Sequence, residues 1–329
     1  MKTYFSGINP SSTKGLHLGN YFGMAKPALD FQDKGSCIYF IANLHTLNSV
    51  YDPIEVKTNT EQVFMEFLAL GLDPTKTLFF VQSDVPAVPY LQTILNNVVT
   101  VSELKLMHAY KDKLQNDVAA DSISMGLFSY PVLMAADILF SNPDYVPVGQ
   151  DQAQHVELAR EIARTFNNRY GEVFKIPEVY LTKETARIKG TDGERKMSKS
   201  LGNDIPIFAP EEVIKKQIMS ITTDPARIHP TDPGDPAKNV TFEYLELLGY
   251  DAAKVTDMKE QYKQGTIGDV EIKKQLFGHF MEYFADVRKK RAELDGNRDY
   301  LHELRARGAK QANEIAEATL KTVRRAVGV

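Results

Sequence analysis

Two lysines, Lys196 and Lys199, lie three residues apart in the segment ERKMSKSLGN, residues 194–203. Small hydroxyl side chains, Ser198 and Ser200, flank the second lysine. A cationic loop of this kind can follow negative charge as it builds on a leaving pyrophosphate. A solvated basic turn is the ordinary alternative for neighbouring lysines, but the complete string Lys-Met-Ser-Lys-Ser is specific enough to favour phosphate chemistry.

A second candidate phosphate segment is GINPSSTKGLHLGN, residues 7–20, between a predicted strand and a predicted helix. Gly19 would let a nucleotide approach the backbone closely. His17 and Asn20 can donate to phosphate or ribose oxygens, and a helix N-terminus favours anions. A turn with a structural histidine is an equal alternative for this segment alone. Neither segment contains a P-loop, and together they predict nucleotidyl transfer by positioning and charge stabilisation.

A lone carboxylate, Asp137, lies in the apolar stretch YPVLMAADIL. Ser129 can cap a helix that Pro131 helps to start. Tyr130, Met134 and Asp137 then fall at i, i+4 and i+7, on one helix face. That face offers an aromatic ring, a soft thioether and an acceptor-only carboxylate. From these residues alone, a structural ion pair is the favoured interpretation of the carboxylate.

Short apolar segments that alternate with helical patterns predict the elements that position these residues. Strands are predicted at residues 3–8, 37–44, 77–82 and 145–148. Asp52 and Pro53 are typical of a helix start and Gly71 of its end, and a further helix is predicted at about residues 152–165. The alternation predicts an α/β fold with a Rossmann-like parallel sheet, which binds ligands at the carboxyl ends of its strands.

The pattern changes after about residue 201, where a loop rich in proline, aspartate and glycine, residues 223–236, precedes helical spacing. Helices are predicted at residues 244–248, 270–294, 299–306 and 309–327. We therefore predict two domains, residues 1–205 with the Rossmann-like sheet and residues 206–329 mainly helical. The last helix could pack back on the first domain.

Composition excludes several classes of protein. The net charge is −4, so no overall positive field indicates nucleic acid, although a local basic patch suffices for RNA. Cys37 is the one cysteine and lies in an apolar run, which excludes an internal disulfide and indicates a buried thiol. The N-terminus lacks a signal-peptide core, and no apolar stretch reaches transmembrane length. We expect a soluble cytoplasmic protein without a membrane partner or a protein metal site.

The two phosphate segments resemble the paired HIGH and KMSKS signatures of the class I aminoacyl-tRNA synthetases. Over nearly its whole length the chain is similar to the bacterial tryptophanyl-tRNA synthetases. The most specific match is VPVGQDQAQH at residues 146–155. The other matching stretches are residues 5–8, 19–21, 126–137, 186–188 and 308–328.

The resemblance implies an amino-acid pocket around Asp137. Indole has one polar atom, a donor-only N–H, and an acceptor-only carboxylate is its matched partner. By resemblance, Asp137 takes that N–H and His45 lies nearby. Tyr130 and Gln152 would hold the amino and carboxylate groups. The residues implied along the ring are Phe5, Met134, Val146 and Val148.

The resemblance also implies an ATP site and a two-step reaction. Asp151 would accept from a ribose hydroxyl, and the backbone of Ile188 would meet the adenine. The tryptophan carboxylate would attack the α-phosphate of ATP–Mg²⁺. The adenylate would then be transferred to tRNA(Trp). The implied catalytic residues are His17, Asn20, Lys196 and Lys199, and the implied ATP contacts are Asn9, Pro10, Ser11, Gly19, Asn20, Gly149, Gln150, Asp151, Ile188, Lys196, Met197, Ser198, Lys199 and Ser200.

By resemblance, the protein is a homodimer, the first domain includes a connective insertion, and the helical domain reads the anticodon. Basic side chains in the helical part are candidate phosphate contacts. For each one a solvated helix face is at least as plausible. These candidates are Arg288, Lys289, Lys290, Arg291, Arg305, Arg307, Lys310, Arg324 and Arg325.

Several features depart from the family's usual pattern. Asn9 stands where glutamine is usual, and Gln150 stands where glutamate is usual. Residues 12–15 make a longer turn than the usual Pro-Ser-Gly, and Lys14 adds a cation near the phosphates. One cysteine cannot support the iron–sulfur cluster that some members carry.

Three alternative functions are open to the sequence. A tyrosyl-tRNA synthetase shares the fold, but different residues are expected at positions 146–155. A catalytically silent RNA-binding paralogue is disfavoured because Lys196 and Lys199 are both present in the loop of residues 196–200, the lysine loop. A nucleotidyltransferase for a small metabolite is disfavoured by the long helical C-terminal part.

Overall fold

Five parallel strands form one sheet, whose carboxyl ends position the predicted amino-acid pocket. The computed structural model describes residues 2–10, 15–108, 110–111, 122–181 and 188–329. The strands are β1 (Thr3–Ile8), β2 (Ser36–Ile41), β3 (Thr77–Val81), β4 (Tyr145–Val148) and β5 (Glu178–Leu181). Their order is β3-β2-β1-β4-β5, with every pairing parallel. The predicted α/β fold with a Rossmann-like sheet is confirmed, and the strand order reverses between β1 and β4, where such sheets bind ligands.

Helices connect the strands and account for most of the chain after residue 205. They are α1 (Leu18–Asn20), α2 (Lys26–Phe31), α3 (Asn43–Thr46), α4 (Pro53–Leu70), α5 (Ala87–Leu95), α6 (Val101–Lys105), α7 (Met125–Leu139), α8 (Ala153–Tyr170), α9 (Glu211–Met219), α10 (Val240–Leu247), α11 (Ala252–Gln264), α12 (Asp269–Tyr283), α13 (Ala285–Asp295) and α14 (Arg298–Val327). Within the described residues, no helix combines the length and the apolar character needed to cross a membrane.

The strand predicted at residues 37–44 is too long, because β2 ends at Ile41 and the chain turns into α3. A continuous apolar run does not separate a strand from a helical turn. The predicted helix start and end around α4 are confirmed. The Asp52 side chain accepts from the Ile54 N–H at 2.8 Å, and Gly71 ends the helix with a left-handed φ of 112°.

Helix α7 begins earlier than predicted. Its N-cap is Ser124, whose hydroxyl accepts from the Leu127 N–H at 3.2 Å, and Pro131 lies inside the helix. The predicted Ser129 cap is therefore wrong, and the Ser129 hydroxyl instead donates to the Met125 carbonyl at 2.7 Å. A Ser-x-Pro pattern indicated a helix start because proline is usually excluded from helix interiors.

The C-terminal helices also differ from prediction. The single helix predicted at residues 270–294 is two helices, α12 and α13, separated at the buried residue Phe284. The two helices predicted around Gly308 are one 30-residue helix, α14. A Cβ at Gly308 would lie 1.9 Å from the Phe79 carbonyl oxygen, so this glycine permits α14 to pack closely on β3 and does not break it.

The chain divides into two compact units, each with its own apolar core. The first unit comprises residues 1–13, 27–183 and 297–329, and it contains the sheet and α14. The second comprises residues 14–26 and 184–296. These units are defined by packing, and the functional boundary between residues 205 and 206 stays a prediction.

Candidate active site

A cavity of about 460 Å³ opens in the first unit at the carboxyl ends of β1, β2 and β4. The predicted ring-contacting residues Phe5, Val146 and Val148 reach it from strands, and Met134 reaches it from α7. All the side chains predicted for the amino-acid pocket line this cavity: Phe5, His45, Tyr130, Met134, Asp137, Val146, Val148 and Gln152. The structure thus brings the predicted set together around one space with mainly apolar walls.

Asp137 is 1% exposed and lies in that cavity wall. The Gln82 amide nitrogen donates to both carboxylate oxygens at 2.8 Å. His45 Nε2 lies 2.9 Å from Oδ2. Burial raises the pKa of Asp137, while the bonds from His45 and Gln82 act in the opposite direction. A carboxylate has about four acceptor sites, so capacity for a further donor remains.

Gln82 was not predicted as a site residue, although it follows β3 directly at the ligand-binding edge of the sheet. The side-chain oxygen Oε1 of Gln82 accepts from the Leu44 N–H at 2.9 Å. The resemblance implied a ligand N–H as the partner of Asp137, and this is corrected because protein side chains already bond the carboxylate. Asp137 has two partners from other elements, and a ligand would be an additional one.

Tyr130 and Gln152 reach the cavity from α7 and from the turn before α8. The Tyr130 hydroxyl lies 2.6 Å from Nε2 of His155, which is buried in α8. This contact fixes the hydroxyl at the cavity wall. His155 was matched in sequence within residues 146–155, but it was not predicted as a site residue.

Asn9 follows β1 and lines the same cavity. Its side-chain oxygen accepts from the Thr46 hydroxyl at 2.7 Å, so its amide NH₂ is directed elsewhere. Thr46 is fully buried in α3, and nothing in its sequence context indicated this role. The backbone at Gly149 and Gln150 leaves β4 and enters a short 3₁₀ turn. Ser11 lies outside the described residues, as does the side chain of Asp151; Pro10, directly after Asn9, is buried.

In the second unit, His17 caps the short helix α1. Its Nδ1 accepts from the Asn20 N–H at 3.2 Å, and the Asn20 side-chain oxygen accepts from the His17 N–H at 3.2 Å. Burial, followed by the charges of Lys199 and Lys196, lowers the pKa of His17 to about 3. The imidazole is therefore neutral near pH 7. Because Nδ1 accepts, Nε2 carries the proton and can donate to a ligand.

The lysine loop, residues 196–200, is held beside α1 by Met197. The Met197 side chain is buried, and its sulfur accepts from the Gly19 N–H at 3.2 Å. The Met197 N–H donates to the carbonyl of Ile188 at 2.8 Å. This places the loop beside α1, with Lys196 exposed and Lys199 partly exposed. The C-terminal end of the first phosphate segment, residues 15–20, is thus adjacent to the lysine loop within one unit.

Asn203 closes the lysine loop. Its side-chain oxygen accepts from the Ser198 N–H at 2.8 Å, and its amide donates to Asp192 at 2.8 Å. The hydroxyls of Ser198 and Ser200 lie 2.9 Å apart. Gly202 has a left-handed φ of 66°, which glycine adopts without strain. These bonds restrain the backbone between the two lysines.

Two of the basic candidates for RNA contact are used inside the protein. Arg288 donates to the carbonyls of Ile207 and Ala209. Arg305 makes a two-pronged ion pair with Asp84 at 2.6 and 2.7 Å. Sequence reasoning missed both roles because their partners are more than seventy residues away. Exposed candidates include Lys289, Lys290, Arg307, Lys310, Arg324 and Arg325.

Comparison with known proteins gives a consistent result. The family model for class I tRNA synthetases (W and Y) matches residues 1–285. The chain is 41% identical to a tryptophan–tRNA ligase of Fusobacterium nucleatum, over 100% of this chain and 98% of that protein. It is 41% identical to one of Rhodopirellula baltica, over 98% of each. The crystal structure of a Campylobacter jejuni tryptophanyl-tRNA synthetase complexed with ADP and tryptophan has a TM-score of 0.90 at 40% identity, covering 100% of both chains.

Proposed function

This chain belongs to the class I tRNA synthetases of the tryptophan and tyrosine family, and from that premise we propose that it is a tryptophan–tRNA ligase. It activates L-tryptophan with ATP to tryptophanyl-adenylate and diphosphate, and then transfers the aminoacyl group to tRNA(Trp) with release of AMP. The full-length relatives at 41% identity support tryptophan over tyrosine. The observation that carries the proposal is the buried Asp137 carboxylate in the wall of an apolar cavity.

The indole ring is proposed to occupy the cavity with its N–H on Asp137. Phe5, Val146 and Val148 offer apolar contact, and Met134 offers a sulfur that packs well on aromatic rings. Tyr130 and Gln152 line the same cavity and can bind the amino and carboxylate groups. Phenylalanine has no donor for the carboxylate, so it would leave part of a buried acceptor unsatisfied.

Catalysis of the first step is proposed to use the charges of Lys196 and Lys199. The tryptophan carboxylate attacks the α-phosphorus, and the bond to the leaving pyrophosphate breaks. Lys196 and Lys199 stabilise the negative charge that develops on that group. His17 and Asn20 donate to phosphate oxygens. The neutral His17 imidazole suits hydrogen-bond donation without a proton transfer.

The nucleotide contacts are proposed on the residues that the family resemblance implies. They are Asn9, Pro10, Ser11, Gly19, Asn20, Gly149, Gln150, Asp151, Ile188, Lys196, Met197, Ser198, Lys199 and Ser200. Mg²⁺ is proposed to arrive on the ATP phosphates, because it commonly keeps substrate phosphates and waters as ligands. The part of the chain that the structure describes has no cluster of three His, Cys, Asp or Glu side chains for a protein-only site.

Cellular context completes the proposal. We propose that the protein works in the cytoplasm as a homodimer without an iron–sulfur cluster, and that its domain after residue 205 reads the anticodon. The exposed basic residues of α13 and α14 support RNA contact by offering phosphate partners.

Amino-acid-dependent exchange of pyrophosphate into ATP tests the function. All twenty amino acids are supplied singly, and the proposal predicts exchange with L-tryptophan well above that with tyrosine or phenylalanine. Exchange driven best by tyrosine would make the chain a tyrosyl-tRNA synthetase. No exchange with any amino acid would contradict the proposed activation step.

A further inference from the structure

Gln82 faces Asp137 from a 3₁₀ turn, residues Gln82–Asp84, that directly follows β3. The side chain is fully buried, and its two ends have different partners. The Leu44 backbone N–H can only donate, so the carbonyl end of Gln82 must face it. The NH₂ end must then face Asp137, where it lies 2.8 Å from both oxygens. The amide orientation follows from this network and is not arbitrary.

The turn that carries Gln82 is anchored at its other two residues. The Ser83 N–H donates to the Asn43 side chain at 3.1 Å, and the Asn43 amide donates back to the Ser83 hydroxyl at 2.9 Å. Asp84 receives two bonds from Arg305 of α14. Asn43 belongs to α3, the same helical turn that supplies Leu44 and His45. Gln82 is therefore held in place without any ligand.

We propose that Gln82 is a positioning residue for amino-acid recognition: it orients the Asp137 carboxylate and keeps it an acceptor, so that the ligand atom it binds must be a donor. The inference rests on the proposed function. A protonated carboxyl would present its own O–H, and two donors would then face each other at the indole nitrogen. An amide N–H shared between the two carboxylate oxygens favours the ionised form and restrains the orientation of the carboxylate.

The surroundings of Asp137 define the expected pH dependence. His45 bonds one carboxylate oxygen, and the Tyr130 ring lies 6.0 Å from the His45 ring. Tyr130 in turn contacts His155. Burial raises the pKa of Asp137, and both His45 and Gln82 oppose that rise. Removing the Gln82 amide therefore raises the pKa of Asp137 further. As the pH falls, the variant should lose its affinity for tryptophan at a higher pH than the wild type does.

Two substitutions at Gln82 give pH effects of opposite direction. Gln82→Leu removes the donor, and the dissociation constant for tryptophan should rise about 10- to 100-fold, as for a lost hydrogen bond to a charged group. The loss should be greatest at low pH. Gln82→Glu places two carboxyls within bonding distance, where both cannot ionise and one proton is shared. The new carboxyl can then donate to Asp137 and accept from Leu44, so binding should be retained until rising pH removes that proton.

L-Tryptophan binding is measured by ligand fluorescence on the full-length protein, with one sample of each variant titrated up and down in pH. Reversibility on a single sample separates the effect from misfolding. The control is Gln92→Glu, because the Gln92 amide donates to a backbone carbonyl, that of Ser129 at 3.5 Å, whereas the Gln82 amide donates to a carboxylate. This control should bind tryptophan as the wild type does across the pH range.

The outcomes separate this inference from the proposed function. A wild-type protein that does not bind tryptophan contradicts the proposed function itself. If the wild type binds but both Gln82 variants match its affinity and pH profile, Gln82 has no positioning role. A loss in Gln82→Glu that is the same at every pH indicates a purely structural role and also overturns the inference.

Discussion

At the scale of single residues, Asp137 shows what sequence can and cannot reveal. A lone carboxylate in an apolar helix, with Tyr130 and Met134 on the same face, was visible from spacing. Spacing did not reveal its partners, because Gln82 and His45 lie 55 and 92 residues away along the chain. The resemblance placed His45 nearby, and it gave no role to Gln82. Spacing along one helix reports shared faces, whereas contacts between elements depend on packing.

Replacing Asp137 tests its proposed bond to the indole. Asp137→Ala removes the acceptor, and the KM for tryptophan should rise about 5- to 150-fold, equivalent to about 1–3 kcal/mol. Asp137→Asn retains the shape of the side chain and should lose less affinity for tryptophan than Asp137→Ala when its carbonyl oxygen faces the ligand. Steady-state pyrophosphate exchange with tryptophan and phenylalanine measures both affinity and discrimination. Unchanged values for both amino acids in Asp137→Ala would show that this carboxylate does not bind the ligand.

Replacing Lys199 tests charge stabilisation in the lysine loop. Lys199→Ala should lower the rate of pyrophosphate exchange about 10²–10³-fold, by analogy with the loss of one oxyanion donor. Lys216→Ala, which removes an exposed lysine of α9 in the same unit, is the control and should leave the rate unchanged. Equal rates for the two variants would remove Lys199 from the mechanism.

His17 predicts a pH dependence of stability. Its folded pKa of about 3 lies below the ordinary 6.5, so the unfolded chain binds the proton more tightly. The stabilisation is fully present above pH 6.5 and is lost as the pH falls toward 3. The free energy of unfolding in urea should therefore decrease with falling pH more steeply for the wild type than for His17→Asn. Asparagine keeps a capping side chain but does not titrate. Parallel pH curves for the two proteins would contradict a neutral buried imidazole.

At the scale of elements, the short helix α3 organises one side of the cavity. Its four residues each bond a different partner: Asn43 bonds Ser83, Leu44 bonds Gln82, His45 bonds Asp137 and Thr46 bonds Asn9. The sequence prediction placed a strand here because residues 37–44 are largely apolar. Secondary-structure propensity could not reveal the turn, since its partners come from α7 and from the segments that follow β1 and β3.

Helix α14 gives a second test at this scale. Gly308→Ala places a methyl group 1.9 Å from the Phe79 carbonyl oxygen, so α14 must shift away from β3. We expect about 1–3 kcal/mol lower stability, as for an overpacked interior. Gly278→Ala in α12 is the matched control, because its Cβ would meet nothing within 4 Å and alanine favours helices. Thermal unfolding should separate the two, and equal melting temperatures would contradict close packing at Gly308.

At the scale of the whole molecule, the α/β fold followed from alternating strand and helix patterns, and four of the five strands were predicted within three residues at each end. The sequence analysis allowed the last helix to pack on the first domain, but it did not assign residues 14–26 to the same unit as residues 184–296. Residues 14–26 belong with residues 184–296, and α14 belongs with the sheet. Hydrophobic periodicity locates elements along the chain, but it carries no information about which distant segments share a core.

Tryptophan binding tests the central claim most directly, because the chain contains no tryptophan of its own. Indole fluorescence excited at its red edge then reports the ligand alone. We predict a saturable change in ligand fluorescence on titration with wild-type protein, with much weaker binding to Asp137→Ala. A folded wild-type protein that leaves the tryptophan signal unchanged, at concentrations where the pyrophosphate exchange is assayed, would contradict the account.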